Sequence, residues 1–432
     1  MNKIKFILLP LLMLFCFQYT QAQKTRTESD LLGKKEIPFD AYYGVQTLRA
    51  LENFQISGVK TNFYPDYVKA YAMVKMAAAH ANADVGRMKK ERYDAIEKAC
   101  KAIIDGKYHD QFLTDLYQGG AGTSANMNAN EVIANIALEM SGHKKGEYQY
   151  IEPHDDLNMG QSTNDVYPTA IHVALLLHND KVINEAKLLS QAFHKKGEEF
   201  KDLLKMGRTE GQDAVPMTLG QEFHAFGSQL DGAIEVLQKT EAYLYEINMG
   251  ATAIGTGLTA SPGYAEKCVA YLAQITGKPM VEPKDLIAAT SSMQAFVMYS
   301  SAVKNFAVVL SKIASDLSTV DEHLSSSRGG RSSSMGDQNT SDEHLSTSDE
   351  LRNTSDESLS SSMGSRNTVD EHLCTFDEHL CAFDERLCTF DEHLCWFDEH
   401  LSRFDEHLYR SDGHLYRSDG HLRRVDGHLR AR

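Results

Sequence analysis

Three long, almost unbroken helical runs constrain this chain more than any other feature of its sequence. Asp165 to Leu204 contains one proline, at its start, and one internal glycine, Gly197. It carries Ile171, Leu175, Val182, Leu189, Phe193 and Phe200 at helix-like spacing. A second run spans Thr218 to Ile247. The third, about Ser291 to Leu317, places Phe296, Tyr299, Val303, Phe306, Leu310, Ile313 and Leu317 three and four apart. That alternation is the seam of a helix bundle. At 1.5 Å per residue such helices are roughly 40–60 Å long, and they need partners along their whole length. Clear strand alternation is scarce, so the predicted fold class is mainly α: an N-terminal helical domain followed by a long-helix bundle.

Polar, glycine-rich stretches separate the helices. Gly119-Gly120-Ala121-Gly122-Thr123-Ser124 precedes a predicted helix start at Asn126. Glycines let a chain approach a ligand closely, and free N–H groups at a helix start favour anions. Gly160-Gln161-Ser162-Thr163-Asn164-Asp165 runs into the first long helix, where Ser and Thr are also good N-caps. Gly207-Arg208-Thr209-Glu210-Gly211-Gln212-Asp213 lies between the first and second helices. Each stretch alone is more often structural than functional, since capping and turns favour these residue types. Together they are three hydroxyl- and amide-rich loops on a helical scaffold, suited to a small polyanion.

The N-terminus has the layout of an export signal. Lys3 and Lys5 are followed by an almost wholly apolar stretch from Phe6 to Phe17, then by Thr20-Gln21-Ala22. The apolar stretch is short for a membrane span. The expectation is cleavage after Ala22, so residues 1–22 form a signal peptide. The mature chain would then be exported to a periplasm, with no membrane segment. An uncleaved anchor is the alternative. A net charge of −16 with no basic cluster argues against a nucleic-acid partner. Of seven cysteines, Cys16 lies in the leader, Cys100 and Cys268 are isolated, and the rest sit in a C-terminal repeat. Folding of the middle of the chain therefore needs no disulfide.

That repeat is the other strong feature. Seven-residue units, roughly DEHLCTF, begin at Asp370, Asp377, Asp384, Asp391, Asp398, Asp405, Asp412, Asp419 and Asp426. Earlier copies at Asp321, Asp342, Asp349 and Asp356 keep the register, and no lysine follows Lys312. The leading reading is a tandem DNA repeat translated in frame, with a composition that rarely builds a packed core. Leu373, Phe376, Leu380 and Phe383 also have coiled-coil spacing. His372 and Cys374 are two apart, which on a helix does not turn them to one side, so no specific metal site is assigned.

The loops in this order resemble the aspartase/fumarase superfamily over Arg26 to about Leu317. The resemblance rests on TESDLLGKKEIPFDAYYGVQTLRALENFQISG, GGAGTSANMNANEVIAN, GQSTNDVYPTA, KMGRTEGQDAVPMTLGQEF and MGATAIGTGL. GGAGTS, QSTND and DAVPMTLGQEF are more similar to the aspartate ammonia-lyases than to the fumarate hydratases, which more typically show SGTQTNMN, QSSND and a GRTH loop. The resemblance implies a homotetramer with a central helical bundle, each active site drawing loops from three subunits. It implies conversion of L-aspartate to fumarate and ammonia by anti elimination through an enediolate-like dianion, without a cofactor. Carried over by motif, Thr123, Ser162 and Thr163 would bond the carboxylate that becomes the enediolate. Asn164 would contact the amino group, and Thr209 the other carboxylate. Glu210, also placed at the substrate, stands where the family carries His or Gln.

The family's base is a serine on a mobile loop of the form GSSxMPxKxNP, whose lysine and asparagine clamp the substrate. This sequence diverges after Asp316-Leu317, and SSSMG at Ser332 to Gly336 lacks the proline, the lysine and the Asn-Pro. No catalytic base is therefore assigned, and the chain as written is expected to be inactive. The predicted organisation is 1–22 signal, 23–164 N-terminal lyase domain, 165–317 truncated bundle, 318–369 irregular low-complexity segment, and 370–432 heptapeptide repeats. Two other readings stand beside it: a fumarate hydratase-type lyase, and an exported non-enzymatic protein whose repeat tail is the functional part.

Overall fold

The computed structural model describes residues 24–118 and 120–332. The predicted leader, Gly119, the segment from 333 to 369 and the heptapeptide repeats lie outside the described residues. Helices dominate: α1 (Val45–Asn53), α2 (Pro65–Asp84), α3 (Lys90–Ile104), α4 (Thr123–Met140), α5 (Thr163–Glu199), α6 (Leu219–Leu244), α7 (Tyr264–Thr276), α8 (Leu286–Ser291) and α9 (Gln294–Ser332). Two antiparallel hairpins accompany them, β1 (Thr25–Asp30) with β2 (Gly33–Pro38), and β3 (Leu204–Thr209) with β4 (Gln212–Thr218). The mainly α fold class holds.

The N-terminal helices wrap around α2. Pro65 starts it at the position where a missing N–H costs nothing. Val68, Ala70 to Ala79 and Ala81 are buried nearly all round its circumference. A helix apolar on every side belongs in an interior, and α2 packs against α3, α5 and α7 at once. The N-cap of α1, Gly44, has no side chain to offer. The buried Glu131 carboxylate of α4 accepts the N–H groups of Gly44, Gln46 and Thr47 instead. This satisfies orphan donors at the helix start and ties α1 to α4.

The long helices pack side by side. α5 and α6 form an antiparallel pair, and β3–β4 joins their ends. Along α6, Phe223, Phe226, Leu230, Ala233, Ile234, Leu237 and Leu244 are buried. α9 leans on α5: the His172 and Phe296 rings lie 4.8 Å apart, and the Tyr299 hydroxyl donates to Asn179 Oδ1 at 3.3 Å. On α9 the predicted seam holds at Phe296, Tyr299, Val303, Phe306 and Ile313.

Four details differ from the sequence expectation. The buried stripe of α5 includes Val166, Ala170, Val173, Leu176, Asn179, Ile183, Ala186, Leu189, Ser190, Phe193 and Gly197, and Phe200 just after it is buried too. Ile171, Leu175 and Val182 are only half-buried. The expected face therefore holds at Leu189, Phe193 and Phe200 and is displaced in the first half of the helix, where Ala170 and Asn179 share the buried side. α5 stops at Glu199 rather than Leu204, because the chain turns there into β3. α4 begins at Thr123 rather than Asn126, its turn set by the preceding glycines. Finally, α9 continues through residues 318–332, the first part of the segment expected to be irregular. That stretch contains no proline, so nothing in it forces the helix to end.

Candidate active site

Ser162 caps α5. Its hydroxyl accepts the Asn164 N–H at 3.2 Å, and its own N–H donates to Asp165 Oδ1 at 2.9 Å, a reciprocal capping box. Pro168 sits inside the helix, has no N–H, and so leaves the Asn164 carbonyl without its usual donor. Asn248 Nδ2 donates to that carbonyl at 3.0 Å. Asn164 Nδ2 donates to the Ala253 carbonyl at 2.6 Å, and the Thr252 N–H donates to Asp165 Oδ2 at 2.9 Å. The MGATA segment is thereby clamped to the first turn of α5.

The glycine-rich loop is brought to the same place. Gly120, Ala121 and Gly122 have φ of +70°, +49° and +92°, three consecutive left-handed residues that turn the chain into α4. A Cβ at Gly122 would lie 2.1 Å from Tyr167 Cδ2, so only glycine lets the loop rest on that ring of α5. The Thr123 hydroxyl donates to the Gly120 carbonyl at 2.6 Å. From the first turns of α4, Asn126 Nδ2 donates to Asn158 Oδ1 at 3.0 Å and to Thr163 Oγ1 at 3.2 Å. Asn126 Oδ1 is buried with no hydrogen-bond partner. Two helix N-termini, α4 and α5, thus converge at Asn126 and Thr163.

Beneath them lies Lys75, 1% exposed, in the middle of α2. Its ammonium donates to Gln161 Oε1 at 2.9 Å, Asn158 Oδ1 at 3.2 Å and the Leu157 carbonyl at 3.3 Å. Burial pushes its pKa down to about 7, against the pull of the Asp165 carboxylate. Burial likewise pushes Asp165 up to about 7, opposed by backbone donors and by Lys75. Sequence reasoning passed over Lys75, Asn126, Asn158 and Gln161. A single lysine inside the apolar run AMVKMAAA was the available signal.

The chemistry of the site follows from its hydrogen-bond inventory. Ser162 Oγ and Thr163 Oγ1 each already accept one bond from the protein. Each keeps its hydroxyl proton, which can be donated to an anion. Asn164 has its amide N–H used by Ala253, which leaves Oδ1 to accept from an ammonium.

Thr209 and Glu210 are elsewhere. Thr209 ends β3, and Glu210 and Gly211, at φ +52° and +73°, form a two-residue hairpin turn with both φ values positive. All three are exposed. α5 has 37 residues and so spans roughly 55 Å, whereas a six-residue strand reaches roughly 20 Å. Within one chain, Thr209 and Glu210 cannot meet Thr123, Ser162, Thr163 and Asn164.

A profile of the lyase family matches residues 33–324. The chain is 56% identical over 294 residues to an aspartate ammonia-lyase of Pseudomonas aeruginosa, covering 68% of this chain and 62% of that protein. It is 52% identical over 293 residues to the aspartate ammonia-lyase of Escherichia coli K12, covering 68% and 61%. Among solved structures, a Brucella melitensis protein described as fumarate lyase:delta crystallin, bound to cobalt, superposes with a TM-score of 0.67 at 51% identity, covering 68% of this chain and 64% of that one. A class II fumarase from Schistosoma mansoni gives a TM-score of 0.65 at 32% identity, with the same coverage. The chain therefore spans a little over three-fifths of the length of these relatives.

Proposed function

Because the chain belongs to the lyase family, in its aspartase/fumarase superfamily, we propose that residues 24–317 are the front part of an aspartate ammonia-lyase, built to bind L-aspartate and release fumarate and ammonia. The observation that carries the proposal is the convergence of the α4 and α5 N-termini around Ser162 and Thr163. Both hydroxyls there have an acceptor position filled and a proton to give. Neutral hydroxyl donors aimed at a carboxylate stabilise the extra charge that develops when the neighbouring carbon loses its proton. Thr123 joins them once its hydroxyl turns from Gly120 to the ligand. Asn164 Oδ1 receives the departing amino group.

The remaining contact comes from another copy of the chain. Thr209, at the tip of β3–β4, binds the second carboxylate across a homotetramer. Glu210 occupies a left-handed turn position beside it and points its charge toward solvent in the separate chain, where it is exposed. The proton-abstracting base is not among these residues. Export with a cleaved leader is part of the same proposal.

The test is a chimera in which everything after Leu317 is replaced by the C-terminal part of an aspartate ammonia-lyase. We expect it to form fumarate from L-aspartate and to leave L-malate essentially unchanged. Turnover of L-malate in preference to L-aspartate would establish the fumarate hydratase-type reading instead. No turnover of either from a folded tetramer would favour the non-enzymatic one.

A further inference from the structure

We propose that His194 on α5 and His224 on α6 form a site for one late first-row divalent cation, such as Zn2+ or Ni2+, that joins the two helices. Nothing in the lyase reading uses these residues, and they sit near the hairpin end of the pair, far from Ser162. Their Nδ1 atoms face each other at 3.2 Å. Two imidazole nitrogens each about 2.1 Å from a single ion and this far apart subtend about 100° at it, close to tetrahedral. Imidazole is a preferred ligand for this class of metal.

The far side of each ring is oriented as in metal-binding histidines generally, whose other nitrogen faces a carboxylate. His194 Nε2 lies 2.9 Å from Asp231 Oδ2, and His224 Nε2 lies 3.3 Å from Glu198 Oε1. Asp231 is itself held by the Ser190 hydroxyl, which donates to Oδ1 at 2.5 Å. Lys201 Nζ is 4.0 Å from the other oxygen of Glu198. With the His194 Nε2–H on Asp231, the His194 Nδ1 lone pair faces the other ring. A metal ion between the Nδ1 atoms takes one lone pair from each imidazole.

The backbone makes room for the pair. A Cβ at Gly227 would lie 2.7 Å from His194 Cε1, and one at Gly197 would lie 2.6 Å from His224 Cδ2. Each ring therefore lies across a glycine of the opposite helix. Both rings remain about one-third exposed, so an ion can enter and complete its shell with water. No sequence motif marks the site, because metal motifs are recognised by close spacing along the chain and these ligands are on separate helices.

The test follows backbone hydrogen exchange of the full chain by mass spectrometry, with and without added Zn2+ or Ni2+. This localises binding despite the many His and Cys residues of the repeats. Exchange should slow in the peptides carrying 186–200 and 220–234, and not in those from α3. His194→Gln or His224→Gln should weaken the effect at least tenfold in metal concentration, and Asp231→Asn about tenfold, the scale for an orienting carboxylate. Gly227→Ala keeps both ligands and favours the helix, yet it should weaken binding by displacing the His194 ring. Slowing confined to the repeats, no slowing in the unaltered chain, or equal slowing in the variants would overturn the proposal.

Discussion

With saturating L-aspartate, the purified 432-residue chain is expected to form fumarate at no more than a small fraction of the rate of an intact aspartate ammonia-lyase. The described residues supply donors for a carboxylate and an acceptor for an amine, but none is placed as the base. A general base contributes roughly 10²–10⁴-fold, and the loss of a charged clamp lowers the rate further. Assembly should suffer as well. α5, α6 and α9 expose Leu188, Val236 and Val308, which stand 60%, 41% and 61% open. Apolar faces of that kind on long helices are interfaces when covered and aggregation sites when not. The measurement is ultraviolet detection of fumarate from a preparation whose mass shows that it ends at Arg432. Turnover at the rate of the intact relatives would contradict the account.

The second large effect is expected at Lys75. In Lys75→Met the volume is kept, but Gln161 Oε1 loses its donor, while Leu157 and Asn158 each keep one other partner. The buried Asp165 also loses its compensating positive charge. Orphaning a buried acceptor costs about 1–3 kcal/mol. We expect a loss of about 3 kcal/mol, or roughly 6–10 °C in melting temperature for a unit of this size. Lys98→Met, at an exposed position on α3, should change stability by less than about 0.5 kcal/mol. Equal melting temperatures for the two variants would show that Lys75 does not hold the 157–162 loop in place.

How far the sequence led differs from element to element. α6 and α9 were legible because their core faces are large apolar residues at helical spacing. α5 was legible as a helix, but its true face runs through Ala170, Asn179, Ala186 and Gly197, residues that hydropathy does not mark. β3 and β4 were missed because Leu204 to Thr218 looks polar and loop-like. The Glu210-Gly211 pair, a two-residue turn with glycine second, was the overlooked cue. At the site, the capping role considered for Ser162 is real, and its hydroxyl proton remains free for a ligand. The resemblance named Thr123, Ser162, Thr163, Asn164, Thr209 and Glu210 together. The first four share one end of α5, and the last two are a helix length away. Spatial separation along a rigid helix is invisible in a motif, as is the support that Lys75 and Asn126 give from other helices.

In the proposed tetramer one chain carries the α4–α5 half of a site, and the β3–β4 tip completes the site of another copy. Subunit complementation tests it most directly, using the chain with its C-terminal part replaced as above. Thr163→Val removes a donor from the first half, and Thr209→Val removes one from the second. Each variant alone should be severely impaired. Unfolding and refolding the two together should restore aspartate turnover well above either alone, because mixed tetramers contain sites built from two unaltered halves. Mixed tetramers, verified by mass, that are no more active than the separate variants would contradict the account.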